Sequence, residues 1–365
     1  MSEFDRHDRE LIEEFIEAID AIPDVHALLI DREITADNGA RADGLVEMHV
    51  NNEPHLLLIE AKKQIFPRDA RQIVWRTEKF IRGVDDPTVT TAIPFVVAEA
   101  LSPGAREVLR EEKIGYYDSG GSLYVPITGA YIYIDKPAPK QMKKQSLAVF
   151  KGARSRVLKA LFHKGREPTN VKELGSLAKV SAATASKTLQ ELERREWVET
   201  EGSGPNKLRR LRYPMEILDA WTGFLANEKP TTLRRYYVPI SSMDSLVFAI
   251  ETEFSACRDL RYALTGEIAA QTYAPYLTSI STVHCRISSH NEEHDALASL
   301  DARPVTEGWN LVLIDTSSHD FIGATVAQGM RLVSPLQIYL DLFLARGRAK
   351  ELAIEFREKV LLPQW

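Results

Sequence analysis

Two cysteines occur in 365 residues, Cys257 and Cys285. They are not spaced as metal ligands, and so few thiols suit a reducing cytoplasm. No apolar run approaches the roughly 18–20 residues a membrane span needs; Ile93-Pro94-Phe95-Val96-Val97-Ala98 is among the longest. The N-terminal stretch MSEFDRHDRELIEEF is charged and lacks the apolar core of a signal peptide. The expected location is therefore cytoplasmic, with no membrane partner. Low-complexity tracts, internal repeats and an Asp-x-Asp pair of the kind used in metal-dependent nucleotidyl transfer are also missing. What is present is a globular composition, 44% hydrophobic and 27% charged, at a length that suits two or three domains.

The net charge of −6 is unevenly spread. Between Lys136 and Arg212 there are 19 Lys/Arg against 7 Asp/Glu, a net of +12, which leaves −18 on the remainder. A basic middle between acidic flanks suggests one segment that meets a polyanion. The plainer account is a basic linker with ordinary helix surfaces.

The order of patterns is α/β with several domains. Residues 1–135 alternate helix and strand signals. A helix is expected over Asp5–Ile22, with Leu11, Phe15, Ile19 and Ile22 at helical spacing. Strands are expected at His26–Ile30, Asp43–Val50, His55–Lys62 and Ile93–Glu99, and hairpin strands over Tyr116–Tyr133 around Gly120-Gly121. Further helices are expected at Asp69–Ile81 and Pro103–Glu112, the latter capped by Ser102. Residues 136–150 read as a basic linker, 151–213 as three helices and a β-hairpin, and 214–365 as an α+β domain.

Within the first segment, four apolar residues, Leu56-Leu57-Leu58-Ile59, run straight into Glu60-Ala61-Lys62. Asn51-Asn52-Glu53-Pro54 is a turn signal. Pairing Val50 with His55 across it sets Asp43 opposite Lys62 and Leu45 opposite Glu60. Period-2 alternation puts Glu60 and Lys62 on one face. Two carboxylates and the carbonyl of Ala61 form a hard-oxygen site for Mg2+. Mg2+ polarises a phosphate and acidifies a bound water, and the lysine orients that water and stabilises developing charge. The alternative is a structural ion pair at a strand end, which by itself stabilises little.

Asp43, then Glu60-Ala61-Lys62 on the next strand, then Gln72 in the following helix, resemble the PD-(D/E)xK nuclease superfamily over about residues 5–135. Alanine (Ala42) stands where that pattern often has a proline. The resemblance implies a restriction-endonuclease-like α/β/α domain. It implies Asp43, Glu60, Lys62 and Gln72 as catalytic residues, Asp43, Glu60 and Ala61 as metal ligands, and Glu14 or Glu17 as a further carboxylate.

Residues 152–213 resemble a winged helix-turn-helix domain. The third expected helix, SAATASKTLQELERREWV, turns Thr188, Leu189, Leu192 and Trp197 inward and Thr184, Ser186, Lys187 and Gln190 outward. It would enter the major groove, with Lys187 and Gln190 reaching base edges. On the following ribbon, Lys207, Arg209, Arg210 and Arg212 would sit on phosphates. Use of such a domain for protein contacts alone is the alternative.

His290-x-x-Glu293-His294 matches an inverted zinc-protease motif, but its first histidine reads as a loop residue and zinc is not expected. Tyr262–Ala270 and Arg331–Leu342 resemble the C-terminal half of AbiEi-type antitoxins, transcriptional regulators of type IV toxin–antitoxin systems. The stripe from Leu336 to Leu344 reads as core. The resemblance implies transcription regulation. Its partners would be double-stranded DNA, a cognate nucleotidyltransferase-like toxin and a second copy of the chain as a homodimer. An active Mg2+-dependent endonuclease, and a toxin-neutralising protein acting through the acidic C-terminal half, are the rival readings.

Overall fold

The computed structural model describes residues 3–127, 130–137, 148–229, 231–275, 280–288, 293–345 and 347–365. It is a mixed α/β protein with two compact units, residues 1–146 with 192–196, and residues 147–191 with 197–365. Most of the basic linker expected at 136–150, and His290 of the zinc-like motif, lie outside the described residues. Glu293 of that motif is described, and its carboxylate is held by the Arg234 guanidinium. No described helix is long and apolar enough to cross a membrane.

The first unit is built on a seven-stranded sheet whose strands lie in chain order: β1 (Val25–Thr35), β2 (Arg41–Val50), β3 (Glu53–Ile65), β4 (Ile93–Leu101), β5 (Gly115–Asp118), β6 (Leu123–Ile127) and β7 (Ala130–Ile134). β3, β4 and β5 are parallel and the other pairs antiparallel. β4 is buried on both faces, which is why its sequence is a nearly unbroken apolar run. Helix α1 (Glu3–Asp20) covers one face, packing Phe15 and Ile19 on Val46, Met48, Leu57, Ile59 and Val97. Helices α2 (Pro67–Ile81) and α4 (Pro103–Glu111) cover the other, with Ile73, Val108 and Leu109 on Val96 and Ala98. The short α3 (Pro87–Thr90) lies between them in the chain. Ser102 caps α4 through the Ala105 amide, as its sequence predicts.

The hairpin register differs from the expected one. Asn51 and Asn52 both adopt positive φ, 50° and 67°, and form a two-residue turn of the kind that matches strand twist. Val50 therefore pairs with Glu53, Leu45 with Leu58 and Gly44 with Ile59. One step further, Asp43 stands level with Glu60, two residues short of Lys62.

In the second unit, α5 (Gly152–Lys164), α6 (Val171–Ala178) and α7 (Ala182–Arg194, of which residues 182–191 belong to this unit) precede a two-stranded ribbon, β8 (Val198–Glu201) and β9 (Leu208–Leu211). Leu158, Leu161, Leu174, Ala185 and Leu189 are all fully buried. Phe150 is buried too and stacks on Trp221 of α8 (Pro214–Leu225) at 5.4 Å between ring centroids. The end of the expected linker is thus part of this core.

A second seven-stranded sheet follows, in the order β13, β10, β14, β12, β11, β16, β15. Its strands are β10 (Leu233–Tyr237), β11 (Tyr262–Thr265), β12 (Val283–Ile287), β13 (Arg303–Pro304), β14 (Leu311–Asp315), β15 (Thr325–Ala327) and β16 (Met330–Leu332). The accompanying helices are α9 (Met243–Ala256), α10 (Gly266–Tyr273), α11 (Glu293–Ser299), α12 (Pro335–Leu344) and α13 (Arg348–Phe356). The stripe on α12 is core from Leu336 to Leu342, while Leu344 is exposed.

Candidate functional site

Asp43, Glu60 and Lys62 meet on the face of the first sheet that α2 covers. Leu45 and Leu58 pack with Phe80 of α2, and Asp43 and Glu60 are each two residues farther along the same strand faces. Lys62 Nζ lies 2.8 Å from Glu60 Oε1 and 3.5 Å from Asp43 Oδ2. Asp43 Oδ2 also accepts the Ala61 amide at 2.7 Å, which fixes that carboxylate to the neighbouring strand. Lys62 further donates to the Ala61 carbonyl at 2.8 Å, the oxygen expected as a metal ligand.

Burial pushes the Glu60 carboxyl above the usual carboxylate range, and Asp43 adds to that push, although Lys62 opposes both. Burial pulls Lys62 down, yet the carboxylates of Glu60 and Asp43 outweigh it and leave the ammonium firmly charged. Two carboxylates and a carbonyl so close together form a donor set suited to Mg2+, which prefers oxygen ligands and keeps several of its waters. Among the described residues there is no cluster of three or more His, Cys, Asp or Glu side chains suited to a metal. Water and substrate would have to complete the coordination.

Gln72 does not join this group. It lies on the exposed side of α2, and the α2 side chain that reaches Glu60 is Arg76, one turn on, with Nη1 at 3.5 Å from Oε1. Nor is Glu14 the α1 carboxylate associated with the site. Its two oxygens accept the hydroxyls of Tyr117 and Ser119, at 3.2 and 2.8 Å. The α1 residue whose charge acts on Lys62 is Asp8. The sequence pattern does not single out Asp8 for this site, because the stripe it shares with Leu11, Phe15 and Ile19 packs on the opposite face of the sheet.

The second group of expected residues surrounds α7. Lys187 and Gln190 are exposed, Thr184 and Ser186 are half-buried, and Ala185, Thr188, Leu189 and Leu192 are buried. Thr184 also serves the start of the helix: its amide donates to Ser181 Oγ at 3.2 Å, and the two hydroxyls lie 2.9 Å apart. On β9, Arg210 is exposed and paired with Glu199, and just past the strand Arg212 lies over the Tyr213 ring, 4.8 Å from its centroid. Lys207 is half-buried.

Arg209 is placed differently from the expectation. It is only 8% exposed, with its guanidinium on the Lys207 carbonyl at 3.0 Å. Strand alternation turns Arg209 inward when Arg210 points out. Thr169, the residue before the N-cap of α6, exchanges two backbone hydrogen bonds with Arg209 and covers its strand.

The two C-terminal stretches singled out in the sequence meet through buried charge. Thr265 donates to Asp341 Oδ2 at 2.6 Å, Gln337 Nε2 donates to Oδ1 at 2.8 Å, and the Arg286 guanidinium grips both oxygens. Burial alone would raise the Asp341 carboxyl, but Arg286 and these donors hold it below the usual range. This cluster ties β11 and β12 to α12.

Comparison with protein-family models, with curated proteins and with solved structures finds no match to this chain.

Proposed function

We propose that this chain is a DNA-binding regulator of the AbiEi antitoxin type, cytoplasmic, docking on duplex DNA through a winged helix-turn-helix domain formed by α5, α6, α7 and the β8–β9 ribbon. The observation that carries this reading is the division of α7 into two faces. Ala185, Thr188, Leu189 and Leu192 pack inward, whereas Lys187 and Gln190 project into solvent, and the ribbon that follows in the chain carries an exposed Arg210, with exposed Arg212 just past it. A long cation and an amide on an exposed helix face are the side chains that read guanine and adenine edges in the major groove. The arginines supply phosphate contacts, which fix register and make affinity salt-dependent.

Two expected results test it. Replacing Arg210 and Arg212 together by alanine should weaken binding to all duplexes and flatten the plot of log affinity against log salt by about 1.8, since each phosphate contact contributes about 0.9. An unchanged slope would remove the ribbon from the interface. Gln190→Ala should instead change which sequences a random duplex library yields on selection, a good base contact being worth about 1–3 kcal/mol. Identical selected sequences would mean that α7 does not read bases.

A second reading is favoured by a separate observation, the convergence of Asp43, Glu60 and Lys62 on one hairpin. The first unit then has the restriction-endonuclease-like α/β/α fold of the PD-(D/E)xK superfamily and acts as a Mg2+-dependent endonuclease. Mg2+, held by Asp43, Glu60 and the Ala61 carbonyl, would supply Lewis acidity and an acidified water. Lys62 would then leave the Ala61 carbonyl and place its ammonium against a non-bridging phosphate oxygen, where charge grows as water attacks. Water adds to phosphorus, one P–O ester bond breaks, and the products are a phosphate terminus and a free hydroxyl. Arg76, beside Glu60, is placed to hold a neighbouring phosphate. The partners that complete the regulator reading are a nucleotidyltransferase-like toxin and a second copy of the chain.

A further inference from the structure

Trp75 is 63% exposed on α2, although tryptophan is among the costliest side chains to leave in water. No other large apolar side chain of α2 is strongly exposed. Its surroundings on that helix are polar and cationic. Lys79 Nζ sits over the indole at 5.7 Å from the ring centroid, Gln72 lies one turn before it, and Arg76 is adjacent with its own side chain 58% exposed. Glu78, the carboxylate on this stretch, is taken by Arg82 at 3.1 Å. Through Arg76 the helix is also connected to Glu60 of the candidate catalytic group.

A lone exposed aromatic with Lys79 over its ring and Arg76 next to it in the helix is poorly suited to a protein partner, whose interface core would need contiguous apolar surface. It is well suited to a nucleic-acid strand, because every base offers a π-face for stacking while the flanking cations take the phosphates. Bases inside a duplex are stacked on each other and cannot lie on an indole, so the base must be unpaired. We propose that Trp75 is a stacking platform for an unpaired base of a nucleic-acid strand entering the Asp43–Glu60–Lys62 site, with Arg76 and Lys79 holding the phosphates on either side. This makes a single strand, or a frayed or gapped end, the substrate class of the first unit. The inference rests on that unit engaging nucleic acid.

The test uses the full chain without divalent metal, an oligo(dT) of about 20 nucleotides, and an excess of unlabelled duplex to occupy the second unit. Tryptophan fluorescence and the anisotropy of labelled oligonucleotide are followed together for wild type, Trp75→Phe and Trp75→Ala. Wild type should bind with quenching. Trp75→Phe should retain most of the affinity and lose most of the quenching, and Trp75→Ala should bind about tenfold more weakly or worse. Equal binding and equal quenching in all three proteins would overturn the stacking role. The nuclease-like reading would survive that result wherever metal-dependent cleavage depends on Lys62. Absence of oligo(dT) binding by wild type would overturn the inference, and absence of Lys62-dependent cleavage as well would remove the reading beneath it.

Discussion

Lys62→Ala is expected to lower Mg2+-dependent cleavage of single-stranded DNA by roughly 100- to 1,000-fold, the usual cost of losing a charge-stabilising donor, while leaving the stabilisation of the protein by Mg2+ in place. The two effects separate because Lys62 is not a ligand. It bridges Glu60, Asp43 and the Ala61 carbonyl, the three groups that would take the metal. Asp43→Asn should do the reverse to the metal effect and abolish it. In wild type, Mg2+ at ten times its dissociation constant should add about 1.4 kcal/mol by mass action. Without metal, Glu60 carries a further signature. Its carboxyl is raised in the folded protein, so protonation favours folding. That contribution is fully present below the unfolded value of about 4.3 and is lost as pH rises through the folded value. Glu60→Gln should flatten this part of the stability profile. A purely structural ion pair predicts otherwise: Asp43→Asn destabilises, Mg2+ shifts nothing, and Lys62→Ala destabilises more. Melting curves and digests of single-stranded DNA by the four proteins distinguish the two cases.

Asp341→Ala is expected to destabilise the second unit by about 3–5 kcal/mol, because it strands the Arg286 charge in a largely buried position. Asp341 gathers Arg286, Thr265 and Gln337 around one carboxylate, so its loss leaves three donors without their acceptor. Urea denaturation measures the difference directly. The carboxyl is lowered in the folded protein. Its contribution is therefore present above the unfolded value of about 3.9 and disappears as pH falls through the lower folded value. The stability gap between wild type and Asp341→Ala should stay level through neutral pH and close only in acid. A gap below about 1 kcal/mol would mean that the cluster is not the tie between β12 and α12.

Where burial decided the matter, the chain's elements were legible in its residues. β4 shows itself as an apolar run because both its faces are covered, and α4 begins where Ser102-Pro103 requires a cap. Asp43, Glu60 and Lys62 were legible as a group because strand period places them on one face whichever of the two registers holds. The register itself was not. Asn51-Asn52-Glu53-Pro54 is compatible with a four-residue or a two-residue turn, and only the positive φ of both asparagines settles it. Arg209 was misread for a related reason. In Leu208-Arg209-Arg210-Leu211 period 2 must bury one arginine, and the bridge from Thr169, forty residues earlier, decides which. Gln72 and Arg76 are one helical turn apart, and the longer side chain is the one that reaches Glu60. The Arg286–Asp341 pair spans 55 residues and left no local pattern to read.

Binding of the wild-type chain to random-sequence duplex DNA, followed by anisotropy between 50 and 200 mM salt, tests the central claim most directly. A regulator docking through α7 and its basic ribbon should bind tightly at low salt and lose affinity linearly in log salt, with a slope steeper than about −1.8 from Arg210 and Arg212 alone. Undetectable binding at the lowest salt, or affinity that does not change across the range, would contradict it.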